Sequence, residues 1–455
     1  MKKATLTRQL ILEILLAVEE GEFSHIVIKS VLDKYSYLSN EDKTFIKRLS
    51  AGCIERRITL DYIIDQFSKT KVNKCKKVIK NILRMGVYQI YYMDSVPDSA
   101  AVDEAVKLSI DKGFINLKGF VNGVLRNIAR SERIVNFNDL SIKYSVPVEI
   151  VNILRDALID DPLAKREGID NLLESVLQSS LDAQTLFGRV LNCDAHKCIE
   201  SLRHDGIEAR EYKDGKLAGL LGNVLVLNNV NNLSKTEAFK TGKLYIQDIS
   251  SMISCALPQI APGMKVLDLC AAPGGKSFNI ASRLDGTGTV ISCDLTDLKT
   301  DLISEGKERL GLSNVEVITR DALSEKRDFE DESFDLIIAD LPCSGLGVMG
   351  RKLDLKYRVT KKDTEDLAKL QRDILKNNIR FLKPGGQLLY STCTISKSEN
   401  RDNYEFIKET LGLKPVSVEK KVAGAVSERT GGLKYIQLLP GVDEGDGFFA
   451  ALFIK

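Results

Sequence analysis

The stretch Val266–Ser277 reads VLDLCAAPGGKS, and it decides the fold of the C-terminal half. Apolar and β-branched residues lead to Asp268, and Pro273–Gly274–Gly275 then break the run. That is the pattern of a buried strand whose carboxyl end opens onto a turn and a helix start. Glycines let the backbone approach a ligand, and the first turn of a helix offers free N–H groups, so the pattern predicts a crevice for a small charged molecule.

Two nucleotide-binding readings compete for this loop. Gly275–Lys276–Ser277 nearly completes the phosphate-binding pattern G-x-x-x-x-G-K-[ST], with Leu336–Asp340 (LIIAD) as a magnesium-holding strand. Cys270 stands where the first glycine must turn the chain around a phosphate, which removes the geometric warrant for a nucleotide hydrolase. The GxGxxG spacing of a dinucleotide fold is also missing.

The following segments favour an adenosine. Thr289–Cys293 reads as a strand ending at Asp294, about twenty residues past the loop, where a carboxylate can accept both ribose hydroxyls. A third strand, Val315–Thr319, ends at Arg320–Asp321, whose carboxylate can accept from an adenine amino group, and a fourth, Phe334–Ala339, ends at Asp340. With helical Leu298–Leu310 between them, these strands predict a parallel sheet with helices on both faces. Asp268 reads as a buried structural acid bonded to the loop.

Cys343 follows the fourth strand in Asp340–Leu341–Pro342–Cys343, and Cys393 follows a fifth (Gln387–Tyr390) in Ser391–Thr392–Cys393. Both thiols therefore belong at the carboxyl edge of the sheet. Cytosine C5 is a poor nucleophile, but a thiolate adding at C6 makes the ring enamine-like, and C5 can then attack a methyl sulfonium. Asp340 would stabilise or protonate the ring N3, and the second cysteine would help the C5 proton leave. Chemistry alone does not choose which thiol attacks.

LDLCAAPGGKS, DLPCSGLGV and YSTCT together resemble the RNA cytosine-C5 methyltransferases that use S-adenosylmethionine, and the resemblance runs almost end to end. It implies that Cys393 is the nucleophile and that Cys343 helps release the product. It also implies cofactor binding by Cys270, Ala271, Ala272, Pro273, Gly274, Gly275, Lys276, Asp294, Asp321 and Asp340. GVYQIYYMDSVPDSAAVDEAVKLS and FVNGVLRNIAR resemble the NusB-like RNA-binding module, which implies the bacterial RsmB (Fmu/Sun) type acting on small-subunit 16S rRNA. The expected architecture is multidomain: an all-α NusB-like bundle (1–140), a small α/β RNA-guiding module (141–242) and a C-terminal α/β Rossmann-like class I methyltransferase domain (243–455). The family's R-V-N-T strand appears here as Arg189–Val190–Leu191–Asn192. Its usual proline is Leu353, and its usual histidine is Gly441.

The rest of the chain sets bounds. At 455 residues, with 44% hydrophobic and 28% charged side chains, it is long enough for two or three globular domains. Net charge is only +2, but residues 1–150 carry 24 basic against 18 acidic side chains. Nine cysteines without regular spacing fit a reducing cytoplasm rather than a disulfide framework. No run of eighteen apolar residues exists, so no membrane partner is expected.

Apolar residues recur at helical spacing in Leu6–Val18, Asp42–Ile54, Leu60–Phe67, Val78–Met93 and Ala100–Ser109. Arg56, Arg57, Lys74, Lys76, Lys77, Lys80 and Arg126 could contact phosphates or form a solvated face. After Cys343, the loop Ser344–Arg358 carries Arg351, Lys352, Lys356 and Arg358 beside Tyr357, which suits an RNA strand over the site. Cys193, His196, Cys198 and His204 match no standard zinc spacing, so no metal is expected. The expected partner is small-subunit rRNA, and the expected state a monomer.

Overall fold

The computed structural model describes residues 3–132, 137, 139–213, 218–230, 232–418 and 434–455. The chain divides into two compact units: residues 1–151 together with 349–358, and residues 152–348 together with 359–455.

The first unit is helical. Helices Lys3–Glu19, Asn40–Glu55, Arg57–Phe67, Lys77–Tyr92 and Asp98–Asp111 match the periodic segments to within a few residues. Ser24–Lys34 escaped the periodicity because it buries only Ser24 and Ile28. Lys77–Tyr92 is central and buries side chains from Ile79 to Ile90. Each fully buried Ile or Leu on it contributes about 1.5–3 kcal/mol. Its buried Arg84 bonds bidentately to Asp61 at 2.6 Å and reaches Glu19. Burial works against the guanidinium charge, but the two carboxylates hold its pKa above the ordinary value.

The second unit contains two sheets. Strands β1 (Leu186–Val190), β2 (Glu208–Glu211), β3 (Val224–Asn228) and β4 (Leu244–Ile246) form an antiparallel sheet in the order β2-β3-β1-β4. The larger sheet comprises β5 (Lys265–Asp268), β6 (Thr289–Asp294), β7 (Val315–Thr319), β8 (Phe334–Asp340), β9 (Leu382–Thr392), β10 (Lys414–Pro415), β11 (Ile436–Leu438) and β12 (Phe448–Ile454). Its order is β10-β12-β9-β8-β5-β6-β7, with β11 paired to β12. The contacts among β5 to β9 are parallel, and β12 runs antiparallel to β9. The chain steps outward from β5 to β7 and returns at β8, beside β5. That reversal is where an open α/β sheet forms its crevice.

One expectation needs correction. The sequence reads Asp363–Leu382 as a long amphipathic helix and Lys383–Pro384–Gly385–Gly386 as its stop and the turn into the fifth strand, but the four residues lie inside β9. The register jumps from Phe334↔Leu382 to Leu336↔Gln387, so the glycines and proline form a bulge in the strand.

Met349–Arg358 requires a second correction. The segment packs in the helical unit, where the Tyr357 hydroxyl bonds Ser145 and the carbonyl of Glu55. Arg358 donates to the carbonyls of Gly21 and Glu22 and to Asp354. Lys356 is only 2% exposed, and burial, outweighing Glu55, pulls its pKa down to about 7. Lys356 and Arg358 are therefore structural here rather than open to a phosphate. Arg351 and Lys352 are exposed. Arg56, Arg57 and Lys80 are also engaged, over Tyr92, over Tyr357 and with Glu19 respectively, whereas Lys74, Lys76, Lys77 and Arg126 are exposed.

Candidate active site

The turn after β5 is held by a network of short polar contacts. Gly274 has φ +107°, in the left-handed region, and a Cβ there would strike the ring of Phe278. The helix Gly275–Ala281 follows at once. Asp294, at the end of β6, accepts from the backbone N–H of Ala272 at 2.9 Å, and its other oxygen accepts from Leu295 and Lys299. It therefore pins the turn. Asp321 is exposed, with one oxygen on the N–H of Leu323.

Lys276 does not point outward, as a phosphate-binding lysine would. Its ammonium is buried and donates to Asp340 at 2.6 Å, and the second Asp340 oxygen accepts from Ser391 at 2.7 Å. Burial opposes the Lys276 charge, yet the Asp340 carboxylate keeps its pKa raised.

Asp268 is buried as expected, accepting from Ser277 at 2.7 Å, but its Oδ1 has no partner among the described residues. Burial pushes its pKa up to about 7. A buried acceptor without a donor, facing a cleft, is what a ligand carrying a donor would complete. The sequence signal was present, in an acid at the end of the first strand, but the buried-acid pattern concealed an open acceptor.

The thiols meet. Cys343 and Cys393 lie 3.3 Å apart, one donating to the other, and both are partly exposed. The hydrogen bond that Cys343 makes to Cys393, reinforced by burial, raises the pKa of Cys343 well above an ordinary thiol. Gly347 supports the arrangement by donating to the Cys393 carbonyl at 3.1 Å and accepting from the N–H of Gly447 at 2.9 Å. A Cβ at Gly347 would overlap the Gly447 carbonyl, so the close approach needs a bare backbone.

A cleft of about 240 Å³ brings the parts together. Its walls include Asp268, Cys270 to Pro273, Gly275, Lys276, Asp340 and Cys393, with Tyr245, Gln247 and Phe448 opposite. Glycine turn, partnerless carboxylate oxygen and thiol thus share one space, and this donor set fits a small cofactor carrying both positive charge and donors. Tyr245 and Gln247, on or just after β4, lie in Gly242–Met252 (GKLYIQDISSM), which resembles the family's cofactor-adjacent segment, but a three-residue strand is too short to show a period that would single them out. Elsewhere, Cys198 is fully buried while the His196 and His204 side chains are mostly exposed, so that cysteine–histidine set does not converge. Among the described residues no helix is long and apolar enough to cross a membrane.

Comparison with known proteins gives the family. Residues 257–454 match the model of the 16S rRNA methyltransferase RsmB/F family, and residues 5–130 match the NusB family. A protein of Bacillus subtilis (strain 168) named "Probable ribosomal RNA small subunit methyltransferase B" is 34% identical, with 98% of each chain covered. Among solved structures, that of the protein PH0851 superposes over all of both chains with a TM-score of 0.78 at 20% identity. The structure of NSun6 from Pyrococcus horikoshii, solved with SFG, covers 68% of this chain and 98% of its own, with a TM-score of 0.56 at 21% identity. The likeness to these two structures is one of fold. On its full-length relative and its two matched domains, the chain belongs to the ribosomal RNA small subunit methyltransferase B family and is an S-adenosylmethionine-dependent methyltransferase.

Proposed function

We propose that the protein methylates C5 of a cytosine in small-subunit 16S rRNA through a covalent adduct between Cys393 and the ring C6. The observation that carries this reading is the pair of thiols 3.3 Å apart, one of them lining the same cleft as Asp340 and the glycine turn. S-adenosylmethionine supplies the electrophilic methyl group. Asp268 Oδ1 and the turn Cys270–Gly275 would hold it, with Asp294 and Asp321 toward its adenosine. Leu295 and Leu323, exposed beside those acids, offer apolar faces for the base.

The residues then have separable tasks. Cys393, as thiolate, forms a bond to C6, and the displaced electron pair moves into the ring toward C5 and N3. Asp340, kept in place by Lys276 and Ser391, faces the developing charge at N3. Cys343 donates to the Cys393 thiolate before attack. Once the Cys393 sulfur is bonded to C6, Cys343 loses its own proton to solvent, and its raised pKa makes the resulting thiolate a base suited to take the C5 proton. The C5–H electron pair then re-forms the ring double bond, and the Cys393–C6 bond breaks with Cys393 leaving as thiolate. Arg351 and Lys352 remain candidates for backbone contacts to RNA. We keep the division into 1–140, 141–242 and 243–455 as a functional one, with the small antiparallel sheet guiding the RNA strand.

Bisulfite sequencing of small-subunit rRNA from cells with and without the gene tests the target. One cytosine should lose its protection when the gene is removed and regain it when the protein is restored. An unchanged rRNA pattern alongside a changed tRNA would redirect the substrate, and no change in any RNA would favour a non-catalytic assembly role.

A further inference from the structure

Behind the two thiols lies a cluster of buried polar side chains that the covalent chemistry does not itself consume. Glu399 is fully buried. Its Oε2 accepts from the backbone N–H of Ser344 at 2.8 Å and from Gln371 at 3.2 Å, and its Oε1 accepts from the Ser344 hydroxyl at 2.6 Å. The Ser344 and Thr394 hydroxyls are 2.7 Å apart, and Thr394 Oγ1 also accepts from the N–H of Leu346 at 3.2 Å. Since the Ser344 proton is committed to Glu399, Thr394 must donate to Ser344. The bonds thus run in one direction, from Leu346 through Thr394 and Ser344 to the carboxylate.

Asn400 holds the other loop. Its Oδ1 accepts from the Thr392 hydroxyl at 2.6 Å, and its Nδ2 donates to the Thr394 carbonyl at 2.9 Å and to Gln437 at 2.8 Å. The residue after Cys343 is therefore tied to Glu399, and both neighbours of Cys393 are tied to Asn400. Burial pushes the Glu399 pKa up against these donors. A carboxyl buried among neutral partners is costly to keep, which calls for a return other than stability.

We propose that Glu399 and Asn400 are positioning residues that set the separation of the two sulfurs, Glu399 through the Cys343 loop and Asn400 through the end of β9. Neither touches the cleft, so each acts through a thiol rather than on the base. The kinetic consequences rest on the covalent reading above, whereas the geometry does not.

The test uses the full-length protein with Glu399→Gln and Asn400→Ala, and two readouts. The first needs no substrate. Diamide takes the two thiol hydrogens and is reduced to its hydrazine as Cys343 and Cys393 join, and the rate follows from the mass of the linked peptides. Each variant should crosslink at least about fivefold more slowly than wild type, because misplacing either loop reduces sulfur encounters. The second readout is steady-state methylation of an rRNA fragment. The kcat should fall by about tenfold or more, with KM within about twofold of wild type. Glu399→Gln should also accumulate protein–RNA adduct, and Asn400→Ala should not. Should Glu399→Gln fail to fold, Ser344→Ala removes only the hydroxyl link and should give the same pattern at about threefold.

Unchanged crosslinking rates, or a loss confined to KM, would overturn the proposal. Slowed crosslinking with no RNA adduct in any variant, Cys343→Ala included, would leave the positioning role standing and remove the covalent reading. Adduct in Cys343→Ala with unaltered crosslinking in Glu399→Gln would do the reverse.

Discussion

Leu341–Val348 and Met349–Arg358 are consecutive in the chain and both carry glycine, yet they follow different rules. The first stays with the sheet, where Cys343 comes to rest 3.3 Å from Cys393. The second belongs to the helical unit, and its tyrosine and most of its charges are spent there. A residue at the end of a buried strand inherits its position from the pleat and register of that strand. A basic residue some fifteen positions later has no such constraint, and its composition cannot say whether it faces nucleic acid or a carbonyl. Motifs anchored to strand ends are thus legible in a way that loop composition is not.

The largest effect expected from this contrast lies at the first segment's partner. Cys393→Ala should cut turnover by about 10⁴-fold or more in a methyl-transfer assay, as loss of a covalent nucleophile does. A residual rate within about tenfold of wild type would mean that the strand-end placement had been misread.

Next is a control in the helical unit, away from either loop. Arg84→Ala leaves Asp61 and Glu19 without their buried partner and should lower stability by about 3–5 kcal/mol in denaturant unfolding. A loss near zero would mean that the ion pairs are not formed in solution.

Asp268→Asn probes the fit of the cofactor. Affinity for S-adenosylmethionine, read by calorimetry, should fall by about 10- to 100-fold if Oδ1 accepts from the ligand's ammonium. The ligand-free protein should behave in the opposite way. Because the folded carboxyl titrates at about 7 rather than its usual 3.8, the folded state binds the proton more tightly. Stability is fully present below the usual value and declines as pH rises through 7. The asparagine variant lacks that decline, so its melting temperature relative to wild type should climb between pH 5 and about pH 8.

The smallest effect sharpens the comparison at the second segment. Lys356→Met should leave RNA affinity within about twofold and raise stability, because a buried amine is replaced by a side chain of similar length. The sign is again fixed. With its pKa lowered to about 7 from 10.5, wild type gains stability as pH rises from 7, so the advantage of methionine should be larger at pH 6 than at pH 9.5. A large loss of RNA binding would restore Lys356 to the RNA surface.

Much of the site was legible because its parts end strands. Asp294, Asp340, Cys343 and Cys393 could be placed from the β-branched runs before them, and the order of those runs gave a parallel sheet. What stayed hidden depends on tertiary partners. Lys276 reads as a ligand-facing lysine until Asp340 is seen to hold it. Glu399 and Asn400 sit in SKSENRDN, a polar stretch that looks solvated, yet both are buried by contacts with residues tens of positions away. Tyr245 and Gln247 belong to a segment that resembles the family's cofactor-adjacent one, but the strand is too short for its pattern to show which of its side chains wall the cleft. Local pattern gives the strands, and the partners of polar side chains come only with the fold.

The central claim is that two thiols act in turn on one base, and denaturing electrophoresis of protein–RNA adducts tests it most directly. Cys343→Ala, given S-adenosylmethionine and the rRNA fragment, should accumulate a slow-migrating covalent species. Cys393→Ala and the double variant should give none. An adduct that persists without Cys393, or one that appears only when Cys343 is intact, would contradict the assignment of the nucleophile.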